Sequence, residues 1–128
     1  MQPNPDPEVL LPLTPATFQI LLSLADEERH GYGIMKDVEH RTSGRMKLGP
    51  GTLYGSIQRL LAAGLIAESE ERPAPEADDE RRRYYRLTAF GRRVAAAEAE
   101  RLERLVAQAY ARRLLPRPSP VAPGDPAR

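Results

Sequence analysis

The sequence predicts a mainly α fold with a small β-hairpin: a winged helix-turn-helix followed by one long C-terminal helix. Three observations predict it. Two short amphipathic stretches, His30–Arg41 and Gly49–Gly64, are joined by a tight turn containing Ser43-Gly44. Two stretches of strand character, Leu65–Glu70 and Arg82–Leu87, flank a loop that holds Pro73 and Pro75. From Thr88 a helical pattern then runs unbroken to Pro116, where proline stops it.

Composition bounds the rest. The chain has 128 residues, 41% of them apolar and 5% aromatic, with no Trp and no Cys. That suits one domain with an aliphatic core and excludes disulfides and thiolate chemistry. No apolar run approaches the length of a membrane span and the N-terminus lacks a signal-peptide pattern, so a cytoplasmic protein without membrane contact is expected. The net charge is +1, but charge is segregated. Arg29–Arg59 holds six cations and two acids, Glu68–Glu80 holds seven acids and one Arg, and Arg81, Arg82, Arg83 and Arg86 follow. A basic surface is therefore possible on a nearly neutral chain.

Residues 1–12 carry four prolines and read as a flexible arm. Thr14 fits a helix N-cap with Pro15 at the first helical position, and the helix should reach about Ala25. Phe18, Leu21, Leu22 and Ala25 lie on one side and Ile20 and Leu24 on another, so this helix should be buried between neighbours. Asp26–Arg29 reads as a polar turn. In the second helix Ile34, Met35 and Val38 form the buried stripe, and Gly31 and Gly33 suggest close backbone approach to another helix. His30 reads as a capping or packing residue, because metal sites need several converging ligands and His40 is the only other His.

The third helix is the centre of the reading. Leu53, Ile57, Leu60 and Leu61 share one apolar arc; Thr52, Gly55, Gln58, Arg59 and Ala62 lie opposite, with Tyr54 at the border. That outer face is small, polar or cationic and carries no acid. It fits insertion into a DNA major groove, and it equally fits a helix that meets water. In the hairpin, Tyr85 and Leu87 alternate with Tyr84 and Arg86, and Arg81–Arg83 stand where they could hold a phosphate backbone or pair with the acids before them. The last helix, about 42 Å long at 1.5 Å per residue, carries the stripe Val94, Leu102, Leu105, Val106, Ala109 and Leu114. Such a stripe on so small a domain needs a partner, most simply the same helix of a second subunit. No nucleophile with an adjacent base, paired acids, phosphate loop or metal set is evident, so neither an enzyme nor a cofactor is expected.

The order and content of these motifs resemble the PadR family of transcriptional regulators. The resemblance rests on Thr17–Leu24, on His30-Gly31-Tyr32-Gly33-Ile34, on Gly51-Thr52-Leu53-Tyr54 through Arg59-Leu60 to Gly64-Leu65-Ile66, and on Arg83–Thr88 with Gly91. It covers about residues 13–112 and points to the short form with a single C-terminal helix. It implies a winged helix-turn-helix at 13–87 and a dimerisation helix at 88–115, and beyond these, residues 116–128 read from their prolines as a disordered tail. It implies a homodimer that usually represses transcription from double-stranded DNA, with Gly51, Thr52, Tyr54, Gly55, Ser56, Gln58 and Arg59 at the major groove. Lys47, Arg81, Arg82 and Arg83 would meet phosphates, and Val94, Leu102, Leu105, Val106 and Ala109 would form the dimer interface. A two-fold dimer expects a pseudo-palindromic operator with half-sites about one helical turn apart. A small-molecule effector is a further expectation, its pocket where the dimer helix meets the first helix. Members that stack planar drugs on an interface Trp differ here, since this chain has none. The competing reading is a winged-helix protein–protein interaction module that does not bind DNA, which the acidic wing favours.

Overall fold

The computed structural model describes residues 6–69 and 83–116. The start of the expected arm, most of the acidic wing loop with Arg81 and Arg82, and residues 117–128 of the expected tail lie outside the described residues. The chain divides into two compact units, Met1–Glu98 and Ala99–Arg128.

In the first unit, a short 3-10 turn, Pro7–Leu10, opens the described chain, capped by Asp6. Helix α1, Pro15–Ser23, begins as its sequence dictates: the Thr14 hydroxyl accepts from the Thr17 N–H at 3.1 Å, and Pro15 occupies the first turn, where no N–H partner is needed. It ends at Ser23, two residues before the expected Ala25. The expected polar turn bends at Asp26 and Glu27, and strand β1, Arg29–His30, takes over its last residue and leads straight into α2, Gly31–Arg41. His30 is the N-cap of α2, its Nδ1 accepting from the Gly33 N–H at 2.9 Å, so its capping role holds. Helix α3 is Pro50–Ala62, and Gly64 follows with φ +77°. Strands β2, Ile66–Glu68, and β3, Tyr84–Leu87, complete an antiparallel sheet in the order β1-β3-β2. The expected hairpin is thus a three-stranded sheet: Arg29 and His30 pair with Tyr85 and Tyr84 on the far edge of β3.

Helix α4, Ala89–Ala111, is capped by Thr88. The Thr88 hydroxyl accepts from the Gly91 N–H at 2.9 Å and donates to the Gly64 carbonyl at 2.7 Å, which ties the start of α4 to the end of α3. Gly91 is required by contact. A Cβ there would overlap the Leu65 carbonyl group, with the carbonyl carbon only 2.8 Å away.

The core of this unit is aliphatic, as the composition demands. Ile20, Leu21 and Leu24 of α1 and its end meet Ile34 and Val38 of α2 and Leu53, Ile57 and Leu60 of α3. Leu65, Ile66, Tyr85, Phe90 and Val94 close it. Each such large side chain contributes about 1.5–3 kcal/mol on burial. The two-sided burial expected of the first helix is only partial, because Leu22 stays 38% exposed.

A polar seam joins α1 to α2. Arg41 Nε donates to Asp37 Oδ2 at 2.7 Å, its Nη1 to Gln19 Oε1 at 2.6 Å, and its Nη2 to the Ser23 hydroxyl at 2.7 Å and the Gln19 carbonyl at 3.0 Å. Ser23 is buried, and its hydroxyl donates onward to Asp37 Oδ2 at 2.8 Å. Arg29 Nε donates to the Ser23 carbonyl at 2.7 Å, and its Nη2 lies 3.6 Å from Asp37 Oδ1. Burial pushes the Asp37 carboxyl up, but the hydrogen bonds from Arg41 and Ser23 and the charges of Arg41 and Arg29 outweigh it and hold the group below its ordinary value.

In the second unit, α4 stops at Ala111, short of the expected Leu115. Arg113 takes φ +64°, and the Leu114 N–H turns back to the Ala109 carbonyl at 2.9 Å, a backbone closure that ends the helix before Pro116. Leu105 and Val106 are exposed, while Leu102 and Ala109 are half-buried. No described helix is long and apolar enough to cross a membrane.

Candidate nucleic-acid interface

The turn between α2 and α3 is built to hold its register. The Thr42 hydroxyl donates to the Val38 carbonyl at 2.8 Å and accepts from the Met46 N–H at 3.0 Å, so one side chain closes α2 and starts the turn. Leu48 is buried and anchors the far end, which leaves its neighbour Lys47 exposed, with Arg45 also exposed. Pro50 opens α3 and the Leu53 N–H reaches the Gly49 carbonyl at 2.8 Å; no side chain caps the first turn.

Leu53, Ile57 and Leu60 point into the core, and this fixes the rotation of α3. Gly51, Thr52, Gln58, Arg59 and Ala62 are exposed and Gly55 is half-buried, which is one face at helical spacing. Arg59 is steered along this face. Its Nη2 donates to the Ser56 hydroxyl at 3.2 Å, and its Nη1 lies over Gly55, 3.7 Å from where a Cβ would stand.

Two expected groove residues are placed elsewhere. Ser56 is buried, because it is three residues after Leu53 and four before Leu60 and so falls on the core stripe. Its hydroxyl faces Arg59 instead of solvent. Tyr54 is half-buried and packs on α2: a Cβ at Gly31 would overlap its hydroxyl, with the ring Cζ 2.8 Å away. The close helix approach expected of the two glycines is therefore made at Gly31. A Cβ at Gly33 would meet His30 and Arg29 first, at ordinary distances.

The expected basic face is also smaller than its sequence count. Arg29 and Arg41 are held by Asp37 in the α1–α2 seam. Arg83, exposed just before β3, has its Nη1 3.3 Å from Glu68 Oε2 across the hairpin. Arg45, Lys47 and Arg59 stay exposed on the turn and on α3. On the last helix, Val94 is fully buried within the first unit, since it packs with Phe90 and the core, whereas Leu105 and Val106 lie exposed in the second.

Sequence reasoning missed β1, whose two residues are too few to show a strand period, and the inward role of Arg29 and Arg41. It also passed over Arg86, although the alternation of Tyr84 and Arg86 with buried Tyr85 already set it on the outer face of the sheet.

The chain is similar to known proteins in sequence and in fold. The chain is 37% identical over 95 residues to an uncharacterized 37.1 kDa protein of a Streptomyces fradiae transposon, a match that covers 74% of this chain and 25% of that protein. It is 36% identical over 86 residues to the transcriptional regulator Rv3488 of Mycobacterium tuberculosis, covering 67% of this chain and 74% of the relative. The chain thus spans only a quarter of the first relative and about three quarters of the second. Among solved structures, a transcriptional regulator from Clostridium thermocellum superposes with a TM-score of 0.61 at 26% identity, covering 75% of this chain and 89% of that one. The sequence pattern of the transcriptional regulator PadR-like family matches residues 20–97, from the core of α1 to the buried turns of α4, and the chain belongs to that family.

Proposed function

We propose that this protein is a homodimeric transcriptional repressor that reads a pseudo-palindromic operator through α3. The observation that carries the reading is the outer face of α3, where Gly51, Thr52, Gly55, Gln58 and Arg59 form a low, acid-free strip over a fixed leucine stripe. Gln and Arg are the side chains whose paired hydrogen-bonding groups match adenine and guanine edges. Arg59, oriented by Ser56, is the candidate reader of a guanine. Arg45 and Lys47, exposed in the turn before α3, would meet phosphates. Leu105 and Val106, with Leu102 and Ala109 beside them, supply the apolar stripe for a second copy of the helix. Release of the operator by a small molecule would add a layer of control to the same dimer.

The test is fluorescence anisotropy with the DNA upstream of the protein's own gene and a scrambled duplex, each at two salt concentrations. Tighter binding to the native sequence that weakens with salt is expected. Absence of binding to either duplex at low salt would turn the reading towards a winged-helix module for protein partners.

A further inference from the structure

The wing sorts its cations by strand period. Side chains on β3 alternate between faces. Tyr85 is buried and pairs with Arg29 and Glu68. Arg83 shares the side of Tyr85 and is held by Glu68. Tyr84 and Arg86 face the opposite way. Tyr84 pairs with His30, and their rings meet edge-on with centroids 5.3 Å apart. The His30 ring continues to Tyr32, nearly parallel at 26° and 6.4 Å away, and Lys36 Nζ lies 5.5 Å over the Tyr32 ring. One row thus runs Lys36, Tyr32, His30, Tyr84, Arg86, assembled from α2, β1 and β3.

The row is open to solvent and adjoins the reader helix. Tyr32 is 55% exposed, and Lys36 and Arg86 are exposed. Gly31, between His30 and Tyr32, is the residue against which the Tyr54 hydroxyl of α3 packs. Tyr54 in turn stands one helical turn from Gly51 on α3. The acid-free strip of α3 and the aromatic row are therefore joined at one contact, Gly31 on Tyr54. Tyr32 stands outside the core cluster, yet it keeps a cation on its ring face and stays more than half exposed. Cations interleaved with hydroxyl-bearing aromatics suit a phosphodiester backbone, where ammonium and guanidinium groups neutralise phosphates and phenol hydroxyls donate to their oxygens.

We infer that this row is a second DNA-backbone contact continuous with the reader helix. Lys36 and Arg86 each meet a phosphate, Tyr32 donates its hydroxyl to a phosphate oxygen, and the wing meets the duplex by the face of Arg86, not by that of Arg83. The inference rests on α3 being the reader, and its test separates the two. Lys36→Ala, Arg86→Ala, Tyr32→Phe, Arg83→Ala and Arg59→Ala are made in the full chain. Each is titrated by anisotropy against the upstream duplex and the scrambled duplex over a salt series, with thermal melts to confirm folding. Lys36→Ala and Arg86→Ala should weaken both duplexes alike, several-fold, and each should flatten the plot of log K against log salt by about 0.9, the slope of one phosphate contact. Tyr32→Phe should weaken both duplexes with the slope unchanged, and Arg83→Ala should do less than Arg86→Ala. Wild-type affinity and slope for folded Lys36→Ala and Arg86→Ala, with sequence preference lost in Arg59→Ala, would overturn the row and leave the reader standing. No binding of either duplex by the unmutated protein would overturn both.

Discussion

Arg41 ends α2 and Arg59 stands in the last turn of α3, the same side chain at the same end of a helix, yet they are placed in opposite ways. Arg41 turns inward across the α1–α2 seam, where its guanidinium meets Asp37, Gln19 and Ser23. Arg59 lies along the open face of α3 with Ser56 as its side-chain partner. The difference comes from what stands opposite. Arg41 faces a carboxylate one turn back on its own helix and the polar end of α1; among the described residues Arg59 lies against Gly55 and Ser56, along its own helix. Charge in a basic segment is thus divided between holding the helix pair and standing on an open face, and only geometry makes the division.

The comparison predicts a clean separation of phenotypes. Arg41→Ala should have the largest effect. It removes four hydrogen bonds and leaves the buried Ser23 and the carboxyl of Asp37 short of donors, which should cost about 2–4 kcal/mol of stability. Urea unfolding would measure it. Well below the melting temperature, the preference of the variant for one DNA sequence over another should be unchanged. A variant of unaltered stability would show that the seam is ornamental and that Arg41 belongs with the surface cations.

Arg59→Ala should do the reverse. Stability should stay within about 0.5 kcal/mol of the parent, as for a surface substitution. Operator affinity should fall by about 1–3 kcal/mol, with the loss confined to one base position. Equal loss on every duplex would make Arg59 a phosphate contact instead of a reader. Ser56→Ala sharpens the point and should have a smaller effect. It leaves the core stripe nearly isosteric but frees the guanidinium, so discrimination should decline more than total binding.

These two arginines also mark how far the sequence could be read. The cap at Thr14, the stripe of Leu53, Ile57 and Leu60 and the hairpin strands were legible because each is set by residues within a turn or two. Strand β1 was not, since Arg29–His30 becomes a strand only by pairing with Tyr84 and Tyr85, far along the chain. Ser56 was carried into the groove by motif, though its spacing from Leu53 and Leu60 already placed it inside. Val94 was counted with Leu105 because one helical period runs through both; which part of the stripe a domain covers depends on what packs there, and Phe90 and the first unit's core take Val94. The outer face of α3 was read correctly at Thr52, Gly55, Gln58 and Arg59, where the local period sufficed.

The smallest predicted effect is a pH dependence confined to the seam. Asp37 has its carboxyl held below the ordinary value in the folded chain, because the donors from Arg41 and Ser23 and two nearby positive charges prevail over burial. The folded state therefore binds this proton less readily than the unfolded chain does. Stability from the group is fully present above the unfolded carboxylate range and declines as pH falls through the folded value. Urea midpoints measured from pH 6 down to about pH 3, a range set to bracket the carboxylate titration, should fall more steeply for the parent than for Asp37→Asn, which is already less stable at neutral pH. Arg59→Ala, outside the seam, should follow the parent curve. Parallel curves for the parent and Asp37→Asn would mean that the carboxylate is not distinguished from its unfolded state, and that Arg41 is held by Gln19 and Ser23 alone.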